Sequence, residues 1–538
     1  MGHEALSFTP ILRSPPFPGI DAAISRALPE TSPLQAHRPE ASAPADPAAI
    51  FAIVREARVG GRFWAAPAVP PDACGSVRRP LNLAECADVD PWSVLPGARL
   101  LSAHGDDEWI VLARVAGVAV EVLSPGRFGA PGDDGGRLDQ LAAAALMAAQ
   151  WRDPFTGGPS HFEAAVELLA LWRAVLDANR PLVAASGMAW WKRKEIRRFL
   201  WHPQHSLKIV SAPSRALRVA RKAGGALAIW PSRVSPALVG QARAQGVPLV
   251  RVEDGFVRSV GLGVDLVPPS SVVVDASGIH FDPSGPSDLE TLLNGAEMPR
   301  RLLDRARTLR ETIVKAGISK YAAGPGTGNA DSFPERLAGK RLVLVTGQVE
   351  DDMSVLAAGG DLVRETEGAN LALLRRARAL EPDAEIWFRP HPDVDAGHRK
   401  GAVPDAQALV LADRVVRGGG MAPLLETVDA VHVLTSLAGF EALLRGREVI
   451  CHGTPFYAGW GLTRDLGEVP ARRTRRLTLD ALVAGVLILY PRYLDPVTGL
   501  PCPPEVLVGR MASASAANRL SWIAPLRRWQ GKLMNALR

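Results

Sequence analysis

The chain reads as an α/β protein with two Rossmann-like halves, preceded by a smaller α/β region. Three observations predict this. Strand-like runs (LKIVSA, ALAIWPS and PLVRV, then RLVLVTG, AEIWF, AVHVL and EVIC) alternate with helical stretches, the pattern of parallel sheets joined by crossover helices. A Gly/Pro-rich joint, GPGTGNADSFPE, separates the two series. Polar and charged side chains gather just after strands, at the carboxyl edge where open α/β sheets bind ligands.

The bulk properties narrow the classes. With 538 residues the chain exceeds one core and suggests roughly three or four domain-sized pieces. Four cysteines, Cys74, Cys86, Cys451 and Cys502, show no CxxC and no paired spacing, against a disulfide framework or a zinc site and in favour of a reducing compartment. The net charge of +6 comes from arginines spread among acids, so it does not point to nucleic acid; an anionic substrate or a membrane surface fits equally well. The first twenty residues lack the apolar core of a signal peptide. No run reaches the ~18 apolar residues of a spanning helix, so a soluble or peripheral protein is expected.

Residues 1–48, rich in Pro, Ala and Ser, read as a poorly ordered arm. A small α/β region at 49–180 follows. In it, the spacing around WIVLARVA predicts a helix that buries Ile110, Val111, Ala113 and Val115 and stops at Gly117, with AVEVL as the next strand. LDQLAAAALMAAQW is helical and leads to DPFTGGP at Asp153. The same D-P-x-T-G-x-P recurs as DPVTGLP at Asp495, and upstream of each copy lies a G-x-x-V strand with a Pro- and Phe-bearing turn, GVAVEVLSPGRF and GREVICHGTPF. Two features in the same order suggest a decayed internal repeat, which makes 49–180 the remnant of a first module.

The complete module opens with the basic helix KRKEIRRFL. Its first half, 185–325, carries the strand ends just named; SVVVDASGIHFD reads as a hairpin turned at Ala276 to Gly278. The second half spans 335–505. Two Rossmann-like halves about one cleft form the GT-B arrangement of nucleotide-sugar glycosyltransferases, with the acceptor on the first half and the donor on the second.

Four groups of residues carry the chemistry. EDGFVRS puts Glu253 and Asp254 at a strand end, Gly255 at the turn, and Arg258 and Ser259 close behind: a nucleophile or base candidate beside an anion-binding group, or a structural ion pair. TSLAGFE follows the strand AVHVL and starts a helix, where Thr435 or Ser436 caps the first turn and the helix N-terminus suits a phosphate, while Glu441 lies within reach of ribose hydroxyls. Arg389 and His391 in RPHP sit at another strand end, fixed by two prolines, and suit phosphate and the reacting sugar. Gln348, Glu350, Asp351 and Asp352 match metal-ligand spacing only weakly and suit polar contacts to the donor better. PFYAGWG either walls the cleft or packs beneath a loop. At 515–538, tryptophans and leucines at near-helical spacing among arginines fit an interfacial membrane helix or a helix docked on its own domain.

Taken together, EDGFVRSVGLG, PPSSVVVDASGIHFDPSGPSDLE, GQVEDD, RPHPDV, TSLAGFEALLRG, PFYAGWGLTRD and YPRYLDPVTGLP resemble the β-Kdo transferases of the capsular polysaccharide linker, over about 192–501. Members of that family carry two transferase modules in tandem. The N-terminal portion here has no EDGF, HP or TSLAGFE, so one complete module is expected.

The resemblance implies CMP-β-Kdo as donor, a lipid-linked acceptor at the cytoplasmic face of the inner membrane, retention of configuration, and neither a metal nor another cofactor. By matching position it makes Asp254 the catalytic carboxylate with Glu253 as its neighbour, and Arg389, His391, Ser436 and Glu441 donor-site residues; Arg258, Gln348 and Thr435 are counted with them. Partners from the capsule assembly machinery fit this reading, nucleic acid does not. A transferase of another nucleotide sugar, or a non-catalytic member of the assembly and export machinery, are the alternatives.

Overall fold

The computed structural model describes residues 10–18, 46–68, 75–79, 88–258, 267–319, 333–397 and 399–513. The joint at 324–332, Ser259 and the C-terminal segment 515–538 lie outside them. The chain forms two compact units. One takes the residues up to Leu182 together with 200–207 and 497–502; the other takes 183–199, 208–496 and 503 onward.

The first unit holds a parallel sheet in the order β1 (Ser76–Arg78), β2 (Leu100–Ala103), β3 (Ala119–Val122). Helices α1 (Pro47–Ala57), α2 (Trp109–Ala116), α3 (Gly135–Met147) and α4 (Phe162–Asn179) accompany it. The expected apolar face of α2 is buried, and Trp109 and Leu112 are buried with it. Gly117 ends this helix at φ +81°, while Val118 N–H reaches back to the carbonyl of Ala113 at 2.8 Å, so the last turn closes with its acceptors satisfied.

Part of the expected arm is built into this unit. Ile11 and Leu12 are buried, Arg13 makes a two-pronged pair with Glu108 at 2.6 and 2.8 Å, and the Phe17 ring lies 5.1 Å from that of Trp172. The Pro/Ala/Ser composition of residues 1–48 masks this short apolar insert, whose burial offsets the cost of ordering it.

The second unit contains two sheets. The first includes β4 (Leu182–Ser186), β5 (Lys208–Ile209), β6 (Ala226–Ile229), β7 (Leu249–Asp254) and β8 (Ser271–Asp275), with α5 (Arg193–Phe199), α6 (Pro213–Ala223) and α7 (Pro236–Ala244) in the connections. The expected parallel pairing holds for β4 with β5 and β6 with β7, but β8 runs antiparallel to β7. No returning hairpin strand follows β8. Instead Asp275, buried, accepts N–H groups from Ser277, Gly278 and Asp288 at 3.0, 2.7 and 3.0 Å, which bends the chain into α8 (Asp288–Gly295).

The second sheet is parallel throughout: β11-β10-β9-β12-β13-β14, with β9 (Leu342–Thr346), β10 (Glu385–Arg389), β11 (Arg414–Val415), β12 (Ala430–Val433), β13 (Glu448–Cys451) and β14 (Arg464–Asp465). Its strands bury apolar residues on both faces, as parallel strands between helix layers must. Val343, Val345, Ile386 and Phe388 pack with Leu373 and Leu374 in one core.

One boundary differs from the expectation of 335–505 as a self-contained half. After β14 the chain returns to the first sheet, where β15 (Pro491–Leu494) pairs antiparallel with β8. Ahead of it Asp480 draws Arg307 and Arg310 from the long helix α9 (Arg300–Lys315) to 3.1 and 3.2 Å. The edge of β8 presents unpaired ladder groups, and a strand distant in sequence satisfies them.

Both G-x-x-V segments of the repeat become the second strand of a parallel strand-helix-strand pair: β2-α2-β3, and β12-α10-β13 with α10 (Leu437–Leu444). The two Asp-Pro copies diverge. Asp153 caps its own loop by accepting Phe155 N–H and Thr156 Oγ1–H at 2.8 Å each, whereas Asp495 is buried and pairs with Arg510 at 3.0 Å.

Candidate active site

Asp254 is the last residue of β7, and its two carboxylate oxygens are held by two different cations. Oδ1 accepts from Lys192 Nζ and Oδ2 from Arg258 Nε, both at 2.9 Å. Arg258 is buried, with a further bond to the Val267 carbonyl at 2.8 Å; the Asp254 side chain keeps 22% of its surface exposed. Burial works against ionisation of Asp254, but Lys192 and Arg258 outweigh it and hold the carboxyl at about 2. A carboxylate so held is permanently charged near neutrality and a poor proton acceptor, which suits it to attack carbon or to stabilise a cationic carbon. Glu253 supports the turn through Oε1, which accepts the Asp254 N–H at 3.0 Å.

Gly255 is required here for space: a Cβ at this position would collide with Ser271 Oγ. The close approach lets Gly255 N–H donate to the Ser271 carbonyl at 3.0 Å and sends the chain towards Arg258.

Lys192 escapes sequence reasoning because it lies 62 residues before Asp254. It sits on the turn after β4, in the sheet that carries β7, and its ammonium lies 3.7 Å from the centroid of the Trp230 ring. Burial lowers its pKa, partly countered by Asp254 and Glu253. The signal was present as WWK, three residues behind the strand PLVAAS.

In the second sheet the structure brings Gln348, Thr435 and Ser436 into direct contact. Gln348 Oε1 accepts three consecutive N–H groups, those of Leu434, Thr435 and Ser436, at 3.1, 2.8 and 3.1 Å, and its Nε2 donates to Thr435 Oγ1 at 2.9 Å. Three converging N–H groups form an anion-binding nest, here filled by an amide oxygen. Asn370 braces Gln348 in turn, accepting its N–H and donating to its carbonyl, both at 2.8 Å. Ser436 is the cap of α10, its Oγ accepting Ala438 N–H at 3.2 Å. Glu441 is buried in that helix.

Arg389 ends β10 beside this nest, and its carbonyl accepts Gly347 N–H at 2.8 Å. Its guanidinium donates to the carbonyls of Gly418 and Gly419, tying down a glycine-rich loop. His391 caps the short helix Pro392–Asp395, with Nδ1 accepting Asp393 N–H at 3.2 Å. The acidic run is spent locally: Glu350 accepts Asn370 N–H at 2.9 Å, Asp351 pairs with Arg399 at 3.2 Å, and Asp352 caps the helix Met353–Ala358. PFYAGWG is packing rather than cleft wall, for Tyr457 and Trp460 are fully buried.

Phe256 joins the two sets. Its ring centroid lies 4.6 Å from that of Phe456 and 6.3 Å from that of Phe440 on α10, with His280 at 4.9 Å. The buried bracket of Glu290 with Arg472 and Arg473, at 2.6 and 2.7 Å, adds a second tie between α8 and the PFYAGWG loop, whose Pro455 and Ala458 carbonyls Arg473 also binds.

The family described as capsule polysaccharide biosynthesis protein matches residues 225–493, half of the chain and most of both sheets of the second unit. The chain belongs to this family. The lipopolysaccharide-processing protein LpsZ of Rhizobium meliloti is 39% identical over 328 residues, 60% of this chain and 72% of LpsZ. Capsule polysaccharide modification protein LipA of Neisseria meningitidis serogroup B is 39% identical over 361 residues, which are 67% of this chain and 50% of LipA. The chain thus spans about half the length of the LipA proteins it matches. Among solved structures, the β-Kdo 2,4 transferase and β-Kdo 2,7 transferase of Thermosulfurimonas dismutans KpsC are 32% and 31% identical with TM-scores of 0.51 and 0.50, each over 62% of this chain and 98% and 99% of the other. The fold is of the GT-B type.

Proposed function

We propose that this protein is a glycosyltransferase of capsular polysaccharide linker synthesis, moving β-Kdo from CMP-β-Kdo to a lipid-linked acceptor with retention of configuration. The observation that carries the reading is the doubly gripped, ionised Asp254 at the carboxyl edge of one sheet, tied through Phe256 to the helix whose N-terminus follows the nest of the other. The likeness to the two KpsC transferases supports the sugar.

In this mechanism the first sheet takes the acceptor and the second the CMP moiety. An Asp254 oxygen attacks the anomeric carbon, a C–O bond to the enzyme forms, and the bond from that carbon to the phosphate oxygen breaks, its electron pair leaving with CMP. The acceptor hydroxyl then displaces Asp254 from the face the phosphate vacated, passing its proton to that phosphate. Two inversions give retention. Arg389, His391 and the N-terminus of α10 stabilise the departing phosphate, with Ser436 and Thr435 on its loop and Glu441 set toward the ribose; Gln348 shapes that loop.

Among the described residues no helix is long and apolar enough to cross a membrane. In this reading the acceptor's lipid lies in the inner membrane and transfer takes place at its cytoplasmic face. The first unit, with its matching strand-helix-strand pair, is in this reading the remnant of a first module ahead of the complete one. Incubation with CMP-β-Kdo and a panel of CMP-, UDP- and GDP-sugars, following nucleotide release and product linkage by NMR, tests the reading. Turnover of another nucleotide sugar in preference to CMP-β-Kdo refutes the donor, and absence of nucleotide binding refutes the enzyme.

A further inference from the structure

We propose that the outer face of helices α6 and α7 docks on an anionic lipid bilayer, the surface from which a lipid-linked acceptor is presented to Asp254. The inference deepens the transferase reading above, which supplies the acceptor; the cationic face itself does not depend on that reading. Residues 196–252 hold ten lysines and arginines and not one aspartate or glutamate. Those ten exceed the net charge of +6 of the whole chain, so the remainder is net acidic and the imbalance is concentrated in the stretch that builds β5 to β7.

Helices α6 and α7 cover the same face of the first sheet, for Ala216 and Leu217 of the one and Leu238 and Ala242 of the other pack in one core with Leu227 and Ile229 of β6. With Ala216, Leu217 and Ala220 turned inward, the helical period turns Arg215, Arg218 and Lys222 outward. These three are exposed, as are Arg221 and, on α7, Arg243. Among the described residues no carboxylate pairs with any of the five. Around the second sheet the same kind of side chain is neutralised in place: Arg336, Arg341, Arg376, Arg378 and Arg417 each meet a carboxylate at 2.6 to 2.9 Å. Five like charges left on one layer repel one another, and an anionic surface relieves that repulsion. Neither helix carries an aromatic side chain on which a nucleic-acid base could stack, whereas a layer of lipid headgroups asks only for charge. Arg233, exposed on the turn after β6, carries the same charge to the carboxyl edge, where Trp230 at the head of that turn lies 3.7 Å from Lys192 Nζ.

Co-sedimentation of the full chain with vesicles tests the docking. Binding is expected to phosphatidylcholine vesicles that contain phosphatidylglycerol and not to phosphatidylcholine alone, with release on raising salt to about 1 M. Arg218→Gln with Lys222→Gln should weaken the partition roughly thirtyfold, and Arg218→Lys should retain it. Lys194→Gln with Arg197→Gln, which removes two exposed cations of α5 outside this layer, should change it by less than about threefold. Melting temperature reports that each variant is folded, and Arg215→Gln with Arg243→Gln replaces the first pair if that pair lowers it. Equal affinity for the two kinds of vesicle, an equal loss from the α5 pair, or tighter binding to duplex DNA at the same phosphate concentration and salt overturns the docking. If CMP-β-Kdo is turned over on a water-soluble acceptor while vesicle binding is absent, only the docking falls; if vesicles are bound as expected and no nucleotide sugar is turned over, the docking stands and the transferase reading falls.

Discussion

Phe256, two residues beyond Asp254, lies with its ring centroid 4.6 Å from that of Phe456 in the opposite half of the second unit. The reacting loop is therefore positioned by aromatic packing with residues some two hundred positions away, and its geometry depends on that packing.

Phe256→Ala should accordingly damage both stability and turnover. Removing a buried phenyl ring costs about 3–5 kcal/mol, readable in denaturant unfolding. Because Asp254 is carried on the same loop, kcat should fall further than stability loss explains at a temperature where the variant is folded. Phe256→Leu should restore most of the stability and only part of kcat.

Asp254→Asn should abolish transfer while leaving CMP binding in place. A loss on the order of 10³-fold or more in kcat is expected for a group that forms the bond itself. Because Lys192 and Arg258 hold the carboxyl at about 2, the wild-type kcat should show no acid limb from Asp254 between pH 4 and 7. The same shift bears on stability: the folded value lies below the ordinary 3.8, so the contribution is complete above 3.8 and is lost as pH falls through about 2.

Gln348→Glu should separate folding from donor binding. A carboxylate can still accept the three N–H groups of Leu434, Thr435 and Ser436, so the melting temperature should hold. Its charge would repel the CMP phosphate, raising the CMP Kd by roughly tenfold or more. Equilibrium titration with CMP checks this, and unchanged affinity would remove Gln348 from the donor site.

A buried histidine pair should set the acid stability of the second sheet. His432 Nδ1 and His452 Nε2 lie 3.0 Å apart, both rings buried. Burial, with each other's proximity and nearby arginines, lowers His432 to about 3, and burial with nearby arginines lowers His452 to about 4. Both folded values lie below the ordinary 6.5, so the unfolded chain takes up protons first. Stability is full above pH 6.5 and should fall by about 1.4 kcal/mol per pH unit per ring as pH drops towards 4. Urea unfolding between pH 7 and 5 measures the slope, and His432→Leu should roughly halve the pair's share of it.

Much of the architecture was legible because it is local. A helix stop at Gly117 and a parallel strand such as Leu342–Thr346 are set by spacing and backbone preference within a dozen residues. The placing of Asp254 at a strand end needed only the run PLVRV and the turn after it. The buried insert around Ile11 and Leu12 was hidden because composition averages over the arm that contains it.

What the amino-acid order determined by itself was the α/β class, the two halves and the residue types gathered at the strand ends. Tertiary structure alone decided that β15 crosses back to β8, that Gln348 fills a nest of N–H groups, and that Lys192 shares Asp254 with Arg258. Each of these is a pairing between groups far apart in the chain, and local periodicity carries no information about them. A buried charge or an open strand edge demands a partner, but only the folded packing chooses which residue meets the demand.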